Sequence, residues 1–116
     1  MKNIKPAVKV SLVTEGERGL PFCGPGMVRL LDAISKTGSV REAVNEMGIS
    51  YSKGWKLLSR LEEYLQISVV DRQQGGKGGG KSALTPEGAQ FVEKHSAFIA
   101  DCNEEVKKVF DKYYGS

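Results

Sequence analysis

Hydrophobic residues recur with two different periods along this chain, and the changes of period mark its elements. Val8, Val10 and Leu12 alternate with Lys9 and Ser11, the spacing of a half-buried strand. Glu15-Gly16-Glu17-Arg18-Gly19 interrupts it, and Leu20-Pro21-Phe22 returns as a short partner strand. After Gly24-Pro25-Gly26 the period lengthens to that of a helix. Pro25 suits a first helical turn, where its missing N–H has no partner to lose. A helix over 25–36 then places Val28, Leu31, Ala33 and Ile34 largely on one side, and Thr37-Gly38 ends it.

The stretch 39–65 reads as two further helices. Ser39 stands where a cap is wanted and Glu42 follows three residues on, the spacing of a capping box. Val40, Ala43, Val44 and Met47 form the apolar face, and small Ala43 admits close approach of the next helix. Gly48 supplies the left-handed residue of a sharp turn, with Ile49 plugging the corner. Ser50 caps a longer helix that turns Gly54, Leu57 or Leu58, Leu61 and Leu65 inward. Tyr51, Ser52, Lys53, Trp55, Lys56, Ser59 and Arg60 fill its other face, and the first carboxylates, Glu62 and Glu63, come only towards its far end. That is the distribution of a recognition helix. Entering the major groove by its N-terminus, it must offer hydrogen bonders and cations, because phosphates repel carboxylates. A solvated amphipathic helix in an all-helical bundle has a similar pattern, and the next segment weighs against it.

Ile67 to Val70 is a short β-branched run. Gly75-Gly76-Lys77-Gly78-Gly79-Gly80-Lys81-Ser82 follows, then Ala83-Leu84-Thr85-Pro86. Two short strands around a basic glycine-rich tip make a wing, in which glycines allow close approach to a DNA backbone and lysines neutralise phosphates. Gly75, Gly80, Lys81 and Ser82 also satisfy G-x-x-x-x-G-K-[ST], the phosphate-binding P-loop. A P-loop needs a helix starting at its Lys-Ser, whereas here Thr85 and Pro86 are the natural cap and first residue of the next helix. The chain also lacks room for the parallel sheet and metal-binding acid of a nucleotide hydrolase.

From Pro86 to about Tyr114 the pattern is helical for some 29 residues, about 40 Å at 1.5 Å per residue. Val92, His95, Ile99, Cys102, Val106, Val109 and Tyr113 are alternately three and four apart, a heptad seam that Phe91, Phe98 and Phe110 widen. A second copy is the natural cover for so wide a stripe, giving a two-fold dimer suited to a pseudo-palindromic site. A helix folded back on its own domain in a monomer is the alternative. His95 and Cys102 are read as packed residues, since no second His or Asp stands at catalytic spacing.

Composition changes this picture little. The 116 residues, 40% hydrophobic and 27% charged, suffice for one domain with a modest core. The expected division is a winged helix-turn-helix over 1–85 and a dimerisation helix over 86–116, a fold that is mainly α with a small β component. Cys23 and Cys102 form no disulfide framework or zinc cluster. No run has the length of a signal peptide or a membrane span, so the expectation is a cytoplasmic protein with no cofactor, no metal and no enzymatic activity. The net charge of +3 matters through its placement. Residues 50–60 hold Lys53, Lys56 and Arg60 without an acid, residues 72–82 hold Arg72, Lys77 and Lys81 without one, and the C-terminal segment is net acidic. Clustering of this kind points to a polyanion. A winged domain kept as a protein-interaction module is the competing reading, for which the two basic stretches would not share a face.

Thr37-Gly38-Ser39, Met47-Gly48-Ile49-Ser50-Tyr51, Trp55, the double and triple glycines between Arg72 and Gly80, and Leu84-Thr85-Pro86-Glu87-Gly88 together resemble the N-terminal DNA-binding domain of the molybdate-responsive regulator (ModE) family, over roughly residues 8 to 114. Ser39, Ala43, Ser50, Leu61-Glu62, Arg72 and the Leu84 to Gly88 motif resemble the LysR-type regulators more distantly. The resemblance implies a homodimeric transcription regulator of double-stranded DNA, with the helix after Ser50 in the major groove and the wing on the backbone. It carries no molybdate site, because the family's molybdate-binding domains lie beyond the matched region. Tyr51, Ser52, Lys53, Lys56 and Ser59 are then candidates for base edges or phosphates, with Ser39 and Ser50 at the helix starts. Arg41, Arg60, Arg72, Lys77 and Lys81 are candidates for phosphates. Trp55 either buttresses the helix against the wing or lies along sugar edges.

Overall fold

The computed structural model describes residues 2–16, 18–72 and 83–115. Its elements run β1 (Leu12–Val13), β2 (Pro21–Cys23), α1 (Pro25–Thr37), α2 (Val40–Met47), α3 (Tyr51–Leu65) and α4 (Pro86–Tyr114). β1 and β2 pair antiparallel, with Leu12 opposite Cys23 and Val13 opposite Pro21. The strand expected from Val8 is therefore confined to its last part. Val8 is exposed, and Ile4 to Val8 instead line a cleft with Asn103 to Asp111 on α4. Alternation predicts a strand only where a partner exists, and β2 is too short to reach Val8.

The helix boundaries follow from their caps. The Oγ of Ser39 accepts from the Glu42 N–H, that of Ser50 from the Lys53 N–H, and the Oγ1 of Thr85 from the Gly88 N–H. The capping box at Ser39 is only half made, because the Ser39 N–H donates to Thr37 Oγ1 rather than to the Glu42 side chain. Gly38 and Gly48 take the left-handed conformation at φ 74° and 71°, closing α1 and turning α2 into α3. Gln66 does the same after α3 without being glycine.

The core gathers Leu30, Leu31 and Ile34 of α1, Val40, Ala43 and Val44 of α2, and Leu58 and Leu61 of α3, with Val69, Val70, Ala83 and Phe91 closing it. On α1 the buried face is Met27, Leu30, Leu31 and Ile34, while the expected Val28 and Ala33 are only half-buried. β2 enters next to α1 and brings Cys23 into the core together with Met27 and Leu30.

Beyond α3 the chain turns back, and Val70 bridges antiparallel to Leu84. The Thr85 N–H donates to the Val69 carbonyl and the Asp71 N–H to that of Ala83. These contacts are the root of a wing, and the molecule is a winged helix-turn-helix with a long C-terminal helix. The expected tip, Gly75 to Ser82 with Lys77 and Lys81, lies outside the described residues. α4 starts at Pro86 behind its Thr85 cap, whereas a P-loop requires a helix whose N-terminus follows directly on its glycine-rich loop.

Candidate nucleic-acid interface

The surface of interest is built on α3. Glycine at position 54 seats this helix against α2, since a Cβ there would fall 2.4 Å from Val44 Cγ1. With Gly54, Leu58 and Leu61 buried, the helical period leaves Tyr51, Ser52, Lys53, Lys56, Ser59 and Arg60 exposed and Trp55 half-buried. The first turn of α3 contains no acid. Ser39 and Ser50 spend an acceptor lone pair on capping and keep their O–H free to donate.

Two clefts flank this helix. One, of about 300 Å³, runs between the starts of α2 and α3 and the wing root, and is lined by Ser39, Arg41, Tyr51, Trp55, Asp71 and Arg72 among others. In it the Arg41 guanidinium lies 4.2 Å over the Tyr51 ring, Tyr51 meets Trp55 edge-on at 6.2 Å, and Arg72 lies 4.5 Å over Trp55. Trp55 thus lies against Arg72 of the wing root. Arg72, expected on phosphate, is ion-paired to Glu62 within the chain. The second cleft, of about 460 Å³ on the other flank, brings Lys53 and Arg60 together with Arg29 of α1, and none of its lining residues is acidic. Arg29 escaped the sequence reading because it lies far along the chain from the two acid-free basic stretches and joins Lys53 and Arg60 only in the fold.

Along α4 the expected seam divides. Phe91 and His95 are buried against the chain's own core, His95 at 5% exposure. Its ring stacks on Phe91 at 5.3 Å and its Nε2 lies 3.9 Å from Cys23 Sγ. Burial pushes the Cys23 thiol up to about 11 and lowers the His95 pKa below 6.5, so both are neutral packed groups near pH 7. His95 is therefore withdrawn from the expected dimer surface, since so little of it is left to cover. Val92 is half-buried against the same core, and Ile99, Cys102 and Val106 are half-buried further along, while Val109 and Tyr113 stand 57% and 70% exposed. No group of three or more His, Cys, Asp or Glu that could hold a metal occurs among the described residues, and no described helix is long and apolar enough to cross a membrane.

The sequence profile of the bacterial regulatory helix-turn-helix proteins of the lysR family matches residues 26–89, from α1 through the wing root to the start of α4. This chain belongs to that family. Among its relatives are the molybdenum-pterin-binding protein MopB of Rhodobacter capsulatus, 38% identical over 77 residues that cover 66% of this chain and 28% of the relative. The DNA-binding transcriptional dual regulator ModE of Escherichia coli (strain K12) is 32% identical over 72 residues, 62% of this chain and 28% of the relative. The molybdenum transport protein ModE of Herbaspirillum seropedicae is 38% identical over 63 residues, 54% and 23%. The chain spans about a quarter of the length of these relatives.

Proposed function

We propose that this chain is a DNA-binding transcription regulator rather than an enzyme, acting in the cytoplasm on double-stranded DNA. The observation that carries the reading is the acid-free N-terminal half of α3 with its exposed polar side, flanked on one side by Arg41 and on the other by the acid-free cleft of Arg29, Lys53 and Arg60. Tyr51, Ser52, Lys53, Lys56 and Ser59 read base edges or adjacent phosphates in the major groove. Arg41, with Ser39 and Ser50 at the helix starts, binds the backbone on one side, and Arg60 with Arg29 binds it on the other. Lys77 and Lys81 of the wing add phosphate contacts. The family profile and the regulator names of the relatives support the same reading.

The protein works as a homodimer paired through α4, in which residues 1–85 form the DNA-binding unit and 86–116 the pairing helix. Ile99, Cys102, Val106, Val109 and Tyr113 form the contact, with Phe98 at its edge. The exposed apolar groups Phe98, Val109, Tyr113 and Tyr114 support this, because a second copy would take them out of water. No molybdate-binding role is assigned to these residues.

Fluorescence anisotropy on labelled duplexes across a salt series tests the proposal. Binding should weaken steeply with salt, by a log–log slope of about 0.9 for each phosphate neutralised. No binding to any duplex at low salt would overturn it.

A further inference from the structure

A carboxylate close to a DNA-reading surface is an electrostatic liability, and Glu62 is the first acid on α3. It is not left facing outward. Its side chain is only 14% exposed, and both carboxylate oxygens accept hydrogen bonds. Oε2 accepts from the N–H groups of Val69 and Val70, at 2.8 and 3.1 Å, and Oε1 accepts from Arg72 Nη2 at 2.5 Å. The two backbone donors belong to the inner limb of the wing root, whose side chains are fully buried, and Arg72 is the last described residue before the tip. The guanidinium that Glu62 holds is the one stacked over Trp55, which meets Tyr51 and, through it, Arg41. One carboxylate thus joins the wing root, the recognition helix and the start of α2 in a continuous line of contacts.

We propose that Glu62 is a positioning residue: it fixes the wing root on the recognition helix and thereby sets how strongly the protein grips DNA, without touching DNA itself. The functional half of this inference rests on the DNA-binding reading above. Because Glu62 compensates the Arg72 charge, the pair supplies geometry rather than net attraction. Two opposite expectations follow for Glu62→Gln. On charge alone, removing an acid near a polyanion tightens binding. On positioning, binding weakens, because an amide has one acceptor oxygen and its NH2 cannot accept from either Arg72 or the two backbone N–H groups.

The test compares wild type, E62Q and R72K on a panel of unrelated labelled duplexes at fixed salt, with helicity and thermal unfolding checked for each. E62Q should bind every duplex more weakly, by about tenfold, the scale of one lost charge-assisted contact. R72K keeps the charge but loses the planar fork and the stack, and it should weaken binding in the same way. E62Q binding as tightly as wild type, or tighter, overturns the inference. If E62Q does not fold, R72K decides: wild-type affinity and salt slope would make residue 72 a plain cation and sink the proposal. Trp55 is the sole tryptophan, so release of Arg72 from its ring should alter emission without DNA. Amide exchange at Val69 and Val70 should quicken in E62Q by the same logic. If wild type binds no duplex, the DNA-binding reading fails, yet these two measurements still decide whether Glu62 holds the root; unchanged exchange and emission would overturn that too.

Discussion

A Cβ added at Gly54 would fall 2.4 Å from a methyl of Val44, whereas one added at Gly88 would fall 2.3 Å from the carbonyl oxygen of Val69. The first obstacle belongs to a side chain, which yields at some cost; the second is backbone that already accepts from Thr85. Alanine also gains about 1 kcal/mol of helix propensity over glycine in a helix interior, which offsets part of the first clash. Chemical denaturation should therefore rank Gly88→Ala, at about 3 kcal/mol destabilising, well above Gly54→Ala. His95 gives a pH signature of its own. Its folded pKa lies below 6.5, so the unfolded chain binds the extra proton first and stability falls as pH drops through about 6.5, levelling off below the folded value. Unfolding midpoints measured from pH 7.5 to 5 should show this loss in wild type and a shallower one in His95→Gln.

The helices carried most of their own description in the sequence. Ser39, Ser50 and Thr85 announced three starts, Gly38 and Gly48 two ends, and the inward Gly54, Leu58 and Leu61 left the polar side of α3 exposed where the spacing put it. Local signals suffice where the deciding partner is within one turn. They failed where it came from elsewhere. Val8 lay beside α4 instead of in a strand, and Glu62 found two backbone N–H groups, which no residue type encodes. Arg29 and His95 were likewise assigned by the fold, one to a basic cleft and the other to the core. At this scale the exposed face of α3 and its Arg29 flank can be told apart. Lys56→Ala should lower affinity for a preferred site more than for random duplex. Arg29→Ala should weaken all duplexes alike and flatten the salt slope by about one, both read by anisotropy.

The described residues span 57 × 34 × 25 Å, and α4 is the longest element at 29 residues. Only Gly88, Phe91 and His95 of this helix are buried, all within its first ten residues, and the far half carries Val109, Tyr113 and Tyr114 in the open. Residues 4–8 lie beside that far half but leave these groups exposed. For the proposed dimer, sedimentation velocity should show a two-copy species whose population falls with dilution. Val109→Glu should shift it to monomer, while leaving the helix content unchanged. A chain that sediments as a monomer at every concentration would remove α4 from the pairing role.

The root of α4 has one more consequence. Thr85 donates its hydroxyl to the Ser68 carbonyl and its N–H to Val69, and Gly88 sits so close to Val69 that no side chain fits between them. This seam is a phase setting: it fixes the rotation of the long helix relative to α3. Each residue inserted between Thr85 and the exposed apolar stretch of α4 would turn that stretch by about 100°. In a two-fold assembly built on that stretch, the distance and helical phase between the two half-sites on DNA are then decided at Thr85 and Gly88, far from any base.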